Sequence, residues 1–122
     1  MIIDIKTEIR AALLKNAALV SFLGGPRVYQ LAAPQAEEYP RITFFEVTNY
    51  DSEFADDGAY ASDVTVQIDV WAKDSTSAIA AEIDVTMKGL GYFRTSGADL
   101  YEDDTKVYHK ALRYRTQIQE VE

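Results

Sequence analysis

From Ser62 to Lys73 the chain alternates with period two. Val64, Val66, Ile68, Val70 and Ala72 fall on one side, and Asp63, Thr65, Gln67, Asp69, Trp71 and Lys73 on the other. Strict alternation in a segment rich in β-branched residues predicts a strand with one buried and one wetter face. The period then changes. Asp74 and Ser75 offer side-chain oxygens for capping, and Ile79, Ile83, Met87 and Leu90 recur at helical spacing. Gly89 is placed to end that helix in a left-handed residue. Two amphipathic elements this close in sequence share one core, and the rest of the chain is expected to pack around them.

Residues 2–16 carry Ile2, Ile5, Ile9, Ala12 and Leu13 on one helical stripe. A short helical turn is expected at 17–23, broken by Gly24-Gly25-Pro26. Residues 26–40 read as an irregular connection. Its Val28, Tyr29, Leu31 and Tyr39 make it too apolar for a solvated linker, so it is expected against the domain or a neighbouring subunit. After Pro40 a strand begins in which the Phe44–Phe45 pair breaks parity, the mark of a bulge or of a strand contacted on both faces. Residues 51–61 read as a long acidic loop. Tyr92–Tyr101 reads as a weaker strand, residues 102–105 as a turn, and Val107–Ile118 as a final strand. That last strand sets Tyr108, Leu112, Tyr114 and Ile118 opposite His109, Arg113, Arg115 and Gln117.

The order α-β-β-α-β-β predicts an α+β fold: an antiparallel four-stranded sheet with two helices packed on one face. The expected core is Ile5, Ile9, Leu13, Val64, Val66, Ile68, Val70, Ile79, Ile83, Leu112 and Tyr114.

Composition narrows the function. A chain of 122 residues, 48% hydrophobic, is expected to form a single domain over 1–122. It has no apolar run of about 18 residues, as a membrane span requires. Its start, Met1-Ile2-Ile3-Asp4-Ile5-Lys6, lacks the pattern of a secretory signal. The absence of cysteine removes disulfides, thiolate metal sites and thiol catalysis, and a lone histidine removes His–His metal pairs. A net charge of −8 argues against nucleic acid as a tightly held partner, because neutralising phosphates needs clustered cations.

The candidate chemistry is thin. Asp51-x-Glu53-x-x-Asp56-Asp57-Gly58 is rich in carboxylates but lacks the ligand spacing and closing Glu of a calcium loop. Asp99, Glu102, Asp103 and Asp104 surround a turn, where Asp is favoured for geometry alone. His109, beside Lys110, has no nucleophile motif near it. Gly24-Gly25-Pro26-Arg27 lacks the ending of a phosphate loop. Trp71, opposite the apolar stripe, either packs at the strand–helix joint or anchors a subunit interface. No catalytic residue, cofactor site or metal set is expected.

Several blocks have a familiar order. Phe22-Leu23-Gly24-Gly25-Pro26-Arg27-Val28-Tyr29, Ala33-Pro34-Gln35 and Tyr39-Pro40-Arg41-Ile42 precede the first strand. Val66-Gln67-Ile68-Asp69-Val70-Trp71-Ala72-Lys73-Asp74 and Leu100-Tyr101-Glu102-Asp103-Asp104, then Val107-Tyr108, follow it. Together, over nearly the whole chain, they resemble the tail completion proteins of long, non-contractile-tailed phages and prophages. The resemblance implies a structural virion protein without cofactor or catalytic residues. It implies a tail-terminator or head-to-tail joining subunit, assembled in the host cytoplasm. Six copies of such a subunit form a ring that caps the tail tube, meets the head connector and lets DNA pass without tight binding.

On that reading, Asp51, Glu53, Phe54, Asp56, Asp57 and Tyr60 are candidates for a loop facing the channel or the tube. Val28, Tyr29, Leu31, Tyr39 and Trp71 are candidates for the subunit interface. The alternatives are another neck or minor capsid component, or a small non-enzymatic α+β binding module. A hydrolase built on His109 and a carboxylate lacks the nucleophile it needs.

Overall fold

The computed structural model describes residues 5–35, 37–55 and 58–119. Ile2 of the first helical stripe, and Asp56 and Asp57, lie outside them, as does the side chain of Tyr60. The elements are α1 (Lys6–Lys15), α2 (Ala17–Leu23), β1 (Val28–Gln30), β2 (Arg41–Ala55), β3 (Gly58–Ala72), α3 (Ser77–Gly89), β4 (Phe93–Glu102) and β5 (Val107–Gln119). The fold is α+β, as expected, with two corrections of detail. The sheet has five strands in the order β1-β2-β3-β5-β4, and it is mixed because β1 runs parallel to β2. Three helices cover it instead of two. β1 is only three residues long, too short for period two to register in the sequence.

Asn16 divides the first two helices. Its backbone is extended (φ −78°, ψ 99°), which ends α1. Its side-chain oxygen then accepts the Leu19 N–H at 3.0 Å and caps α2. The same amide reaches across to α3, donating to the Glu82 carbonyl at 3.3 Å, Glu82 Oε1 at 3.1 Å and Thr86 Oγ1 at 3.0 Å. One residue thus ties all three helices, α1 through its backbone and α2 and α3 through its side chain. Gly24, at φ 79°, closes α2 with its N–H on the Val20 carbonyl at 2.9 Å. At α3, Ser75 serves as expected, accepting the Ser77 N–H at 3.3 Å, and Asp74 makes no capping bond. The left-handed glycine after α3 is Gly91 (φ 93°), two residues beyond the expected Gly89.

All eleven expected core residues are buried. They join Leu19, Leu23, Val28, Ile42, Phe44, Met87 and Tyr92 in one cluster between the helices and the inner face of the sheet. Each such side chain contributes roughly 1.5–3 kcal/mol through area removed from water. The cluster forms because β3 lies at the centre of the sheet. Its stripe meets Phe44 and Ile42 on β2 and Leu112 and Tyr114 on β5 at the same level.

The acidic loop expected at 51–61 is instead the continuation of two strands. Asp51 pairs with Ser62, Glu53 with Ala61, Phe54 with Ala59 and Ala55 with Gly58. Register shifts between Glu46 and Thr48, Asp51 and Glu53, and Glu53 and Phe54 erase the alternation that would have revealed a strand. Phe44 is buried inside, and Phe45 is half-buried on the other face opposite Gln67. The strand is thus contacted on both faces, and its bulge lies just beyond the aromatic pair.

Candidate assembly surfaces

Among the described residues, pairing of β3 with β5 runs as far as Ala61–Gln119, and β2 and β3 continue past that point as a two-stranded ribbon. Of the residues expected to face a channel or tube, Asp51 and Glu53 lie at the base of this ribbon, opposite Ser62 and Ala61, and Phe54 lies on it; all three are exposed, Phe54 to 67%. Among the described residues neither Asp51 nor Glu53 makes an ion pair. At the base of the ribbon Asp63 is well held. Its carboxylate accepts from Arg115 at 2.9 Å, Tyr50 at 3.3 Å and Gln117 at 3.4 Å. The Arg115 bond lowers its pKa below the usual carboxylate value.

The five expected interface residues separate. Val28 is fully buried on β1 and belongs to the core, which corrects its assignment to a subunit interface. Tyr29 is half-buried on the same strand. Leu31, at φ 66°, is 70% exposed at the end of β1. The connection that follows is pinned by Arg27, whose Nη1 donates to the carbonyls of Leu23 (2.7 Å) and Tyr39 (3.0 Å). Its Nε lies 3.4 Å from Glu38. Tyr39 and Trp71 are brought together on the outer face of the sheet. Arg41 lies 4.7 Å from the Tyr39 ring and 5.4 Å from the Trp71 ring, and Lys73 lies 4.9 Å from Tyr39. Arg41 and Lys73 were missed as members of this group, although the i, i+2 spacing of Tyr39 and Arg41 signals one strand face.

That outer face is a polar layer crossing three strands. Trp71 stacks on His109 with ring centroids 3.8 Å apart and donates from Nε1 to Thr43 Oγ1 at 2.9 Å. His109 Nε2 lies 2.7 Å from Asp69 Oδ1, which also accepts from Gln67 at 3.0 Å. Arg113 donates to Gln67 at 2.7 Å. Asp69 is buried beneath this layer. A carboxylate survives burial only when its acceptors are filled, and here the imidazole and the Gln67 amide fill one oxygen.

On the helical side, Asp84 is the hub. It receives Lys88 Nζ at 2.7 Å, Arg94 Nε at 3.2 Å and the Tyr114 hydroxyl at 2.8 Å. Burial raises its pKa, but the Lys88 and Tyr114 bonds outweigh burial and hold it below the usual value. Tyr114 is pushed far up by burial and by its bond to Asp84. Tyr92 is pushed up to about 12, mainly by burial and further by the charges of Glu8 and Glu46. Asp99 pairs with Lys110 at 3.1 Å, and Lys73 donates to the Thr105 carbonyl in the β4–β5 turn at 2.6 Å. Among the described residues no three carboxylate or imidazole groups converge on a metal-sized space, and no helix is long and apolar enough to cross a membrane.

β4 is exposed along its whole length. It carries Phe93, Leu100 and Tyr101 outward, with Tyr108 beside them on β5. No alternation of inside and outside marks such a strand, which is why its sequence signal is weak.

The fold is similar to that of a chain in a solved structure described as the virion of a native gene transfer agent (GTA) particle. The TM-score is 0.63 at 15% identity, covering 90% of this chain and 93% of that one. No curated protein matches the chain. The profile of the family described as Tail completion protein gp17 matches residues 7–119, which take in every element of the fold but the first residue of α1. The chain belongs to the tail completion protein gp17 family, and so to the structural tail proteins of the virion.

Proposed function

We propose that the protein is a tail-terminator subunit that closes into a ring, of six copies, on the end of the tail tube and joins it to the head connector. The observation that carries this reading is the projecting β2–β3 ribbon. An exposed Phe54 next to Asp51 and Glu53, neither of which makes an ion pair among the described residues, is a contact residue set among repelling charges. Buried against the tube's end, Phe54 supplies apolar area, while Asp51 and Glu53 stay hydrated and repel passing DNA. A negative wall lets phosphates slide where a basic wall would hold them by counterion release. Asp56, Asp57 and Tyr60 belong to the same segment and take the same role.

Free subunits associate weakly, because closing six copies brings together six charges of −8 before counterions respond. The single chain 1–122 acts as one domain in this assembly, with the major tail tube protein and the head completion protein as its neighbours.

Imaging of isolated tail tubes mixed with the protein tests the role. Rings at one end of the tubes are expected, and Phe54→Ser is expected to abolish them while leaving the circular dichroism spectrum unchanged. Tubes that stay bare with the native protein, or are capped equally well by Phe54→Ser, refute the docking role.

A further inference from the structure

We propose that subunits join edge to edge into a continuous sheet, the β4 edge of one copy pairing antiparallel with the β1–β2 edge of the next. This names the partner surfaces of the ring proposed above and rests on that reading only for its biological setting.

The first ground is where exposed apolar side chains lie. Of the nine large hydrophobics exposed on the described chain, seven sit on or beside the two lateral edges of the sheet. Leu31, Tyr50 and Phe54 line the β1–β2 edge, and Phe93, Leu100, Tyr101 and Tyr108 line the β4 edge. Only Phe22 and Val85 lie elsewhere, on helices.

The second ground is the state of the edges themselves. An edge strand presents a row of unpaired N–H and C=O groups, which proteins usually guard with lysine, proline or cover. β4 contains neither lysine nor proline. Two of its charges are already paired within the chain, Arg94 with Asp84 and Asp99 with Lys110. On the far side, β1 covers only Ile42–Phe44, and beyond them the edge of β2 has no strand partner among the described residues.

The third ground is direction. β2 is antiparallel to β3, β3 to β5 and β5 to β4, so β2 and β4 run opposite ways. A neighbour added by rotation about a ring axis, with its sheet continuing the first, therefore offers its β2 antiparallel to β4. That direction also sorts the charges. Arg94, at the start of β4, falls near Asp51 and Glu53 at the end of the neighbour's β2. The acidic turn of Glu102, Asp103 and Asp104 falls at the opposite end. A parallel arrangement would stack the two acidic groups on one another. Pairing of unlike edges also covers both apolar sets, whereas a two-fold contact between like edges leaves one set bare.

Because the chain has no cysteine, single thiols can report the contact. Ala98→Cys on β4 and Thr48→Cys on β2 both fall on exposed positions. The two variants are mixed at high concentration in 0.5 M salt and treated with a short bis-maleimide. Dimers are expected from the mixture and not from either variant alone, and a chain carrying both thiols is expected to give a ladder. Sedimentation should show at least tenfold weaker self-association for Leu100→Lys, with an unchanged unfolding midpoint.

Equal cross-linking of Ala98→Cys with itself would show a two-fold contact and overturn the proposal. So would association without any edge cross-link, or a native chain that stays monomeric to millimolar concentration. Rings on tubes without edge cross-links sink this inference alone. Edge cross-links in a protein that never binds tubes sink the tail-terminator reading alone.

Discussion

Replacing Ile68 by Ala is the most direct test of the core. Ile68 sits at the centre of β3, fully buried, with Phe44 opposite on β2 and Leu112 opposite on β5, both also buried. The change removes three carbons, at about 0.8 kcal/mol for each buried methylene, so the transfer loss is about 2.4 kcal/mol. Strands on both sides and helices above prevent the site from collapsing. The residual cavity therefore adds to the cost, within the range of about 2–5 kcal/mol for such changes. That is a large share of a total stability of about 5–15 kcal/mol. Urea denaturation, followed by the fluorescence of Trp71, the sole tryptophan, gives the measurement. With m of about 2 kcal/mol/M, the midpoint should fall by about 1–2.5 M at unchanged slope. Thr65→Ala, three positions away on the outer face, should shift stability by no more than about 0.5 kcal/mol. A loss below about 0.5 kcal/mol for Ile68→Ala would refute the placement of this strand at the centre of the core.

Other expectations are equally concrete. Asn16→Ala removes the α2 cap and the ties to Glu82 and Thr86, and should cost about 1–3 kcal/mol in the same denaturation assay. The lowered pKa of Asp84 means that its contribution is present above the unfolded value of about 3.9 and is lost as pH falls through the folded value. Asp84→Asn should therefore flatten the acid limb of a stability-against-pH curve. The raised values of Tyr92 and Tyr114 act at the other end, with stability intact below about pH 10 and lost as pH climbs further. Changing both to Phe should flatten that alkaline limb. Gly91→Ala forces a side chain into φ 93° and should cost about 1 kcal/mol or more. Gly89→Ala meets open space at the end of α3 and should instead stabilise by about 0.4–1 kcal/mol, read as thermal midpoints.

How legible each part was depended on whether its residues faced one environment. The β3 stripe from Val64 to Val70 and the α3 stripe of Ile79, Ile83 and Met87 each face a single core, and both declare themselves by period. β4 faces water all along, so nothing in Phe93–Glu102 alternates. The distal half of β2 looks like a loop in the sequence because its bulges spoil the period, not because pairing is lost. Val28 was misplaced for another reason. A single buried residue on a three-residue strand carries no pattern, and its apolar character fits a core and an interface equally well. Of the candidate surface, the exposed Phe54 and the grouping of Tyr39 with Trp71 follow from residues already picked out. The polar layer around Asp69 was invisible. Its cross-strand contacts join residues 28 to 46 positions apart, and no one-dimensional spacing encodes them.

That layer settles a question the core leaves open. Sliding β5 along β3 by one residue turns every apolar side chain outward, and burial forbids it. Sliding by two does not, since Val64, Val66, Ile68 and Val70 still face in, and so do Leu112 and Tyr114. Parity alone cannot tell the native alignment from these near-misses. The outer face can. A two-residue slip one way carries His109 off both Asp69 and the Trp71 ring, leaves Ala111 against the indole, and sets Arg113 of the exposed layer against the buried carboxylate. The same slip the other way pulls the imidazole off the Trp71 ring and Arg113 off Gln67. Hydrophobic residues decide which way the strands face, and the hydrogen bonds on the opposite side decide which residue lies across from which.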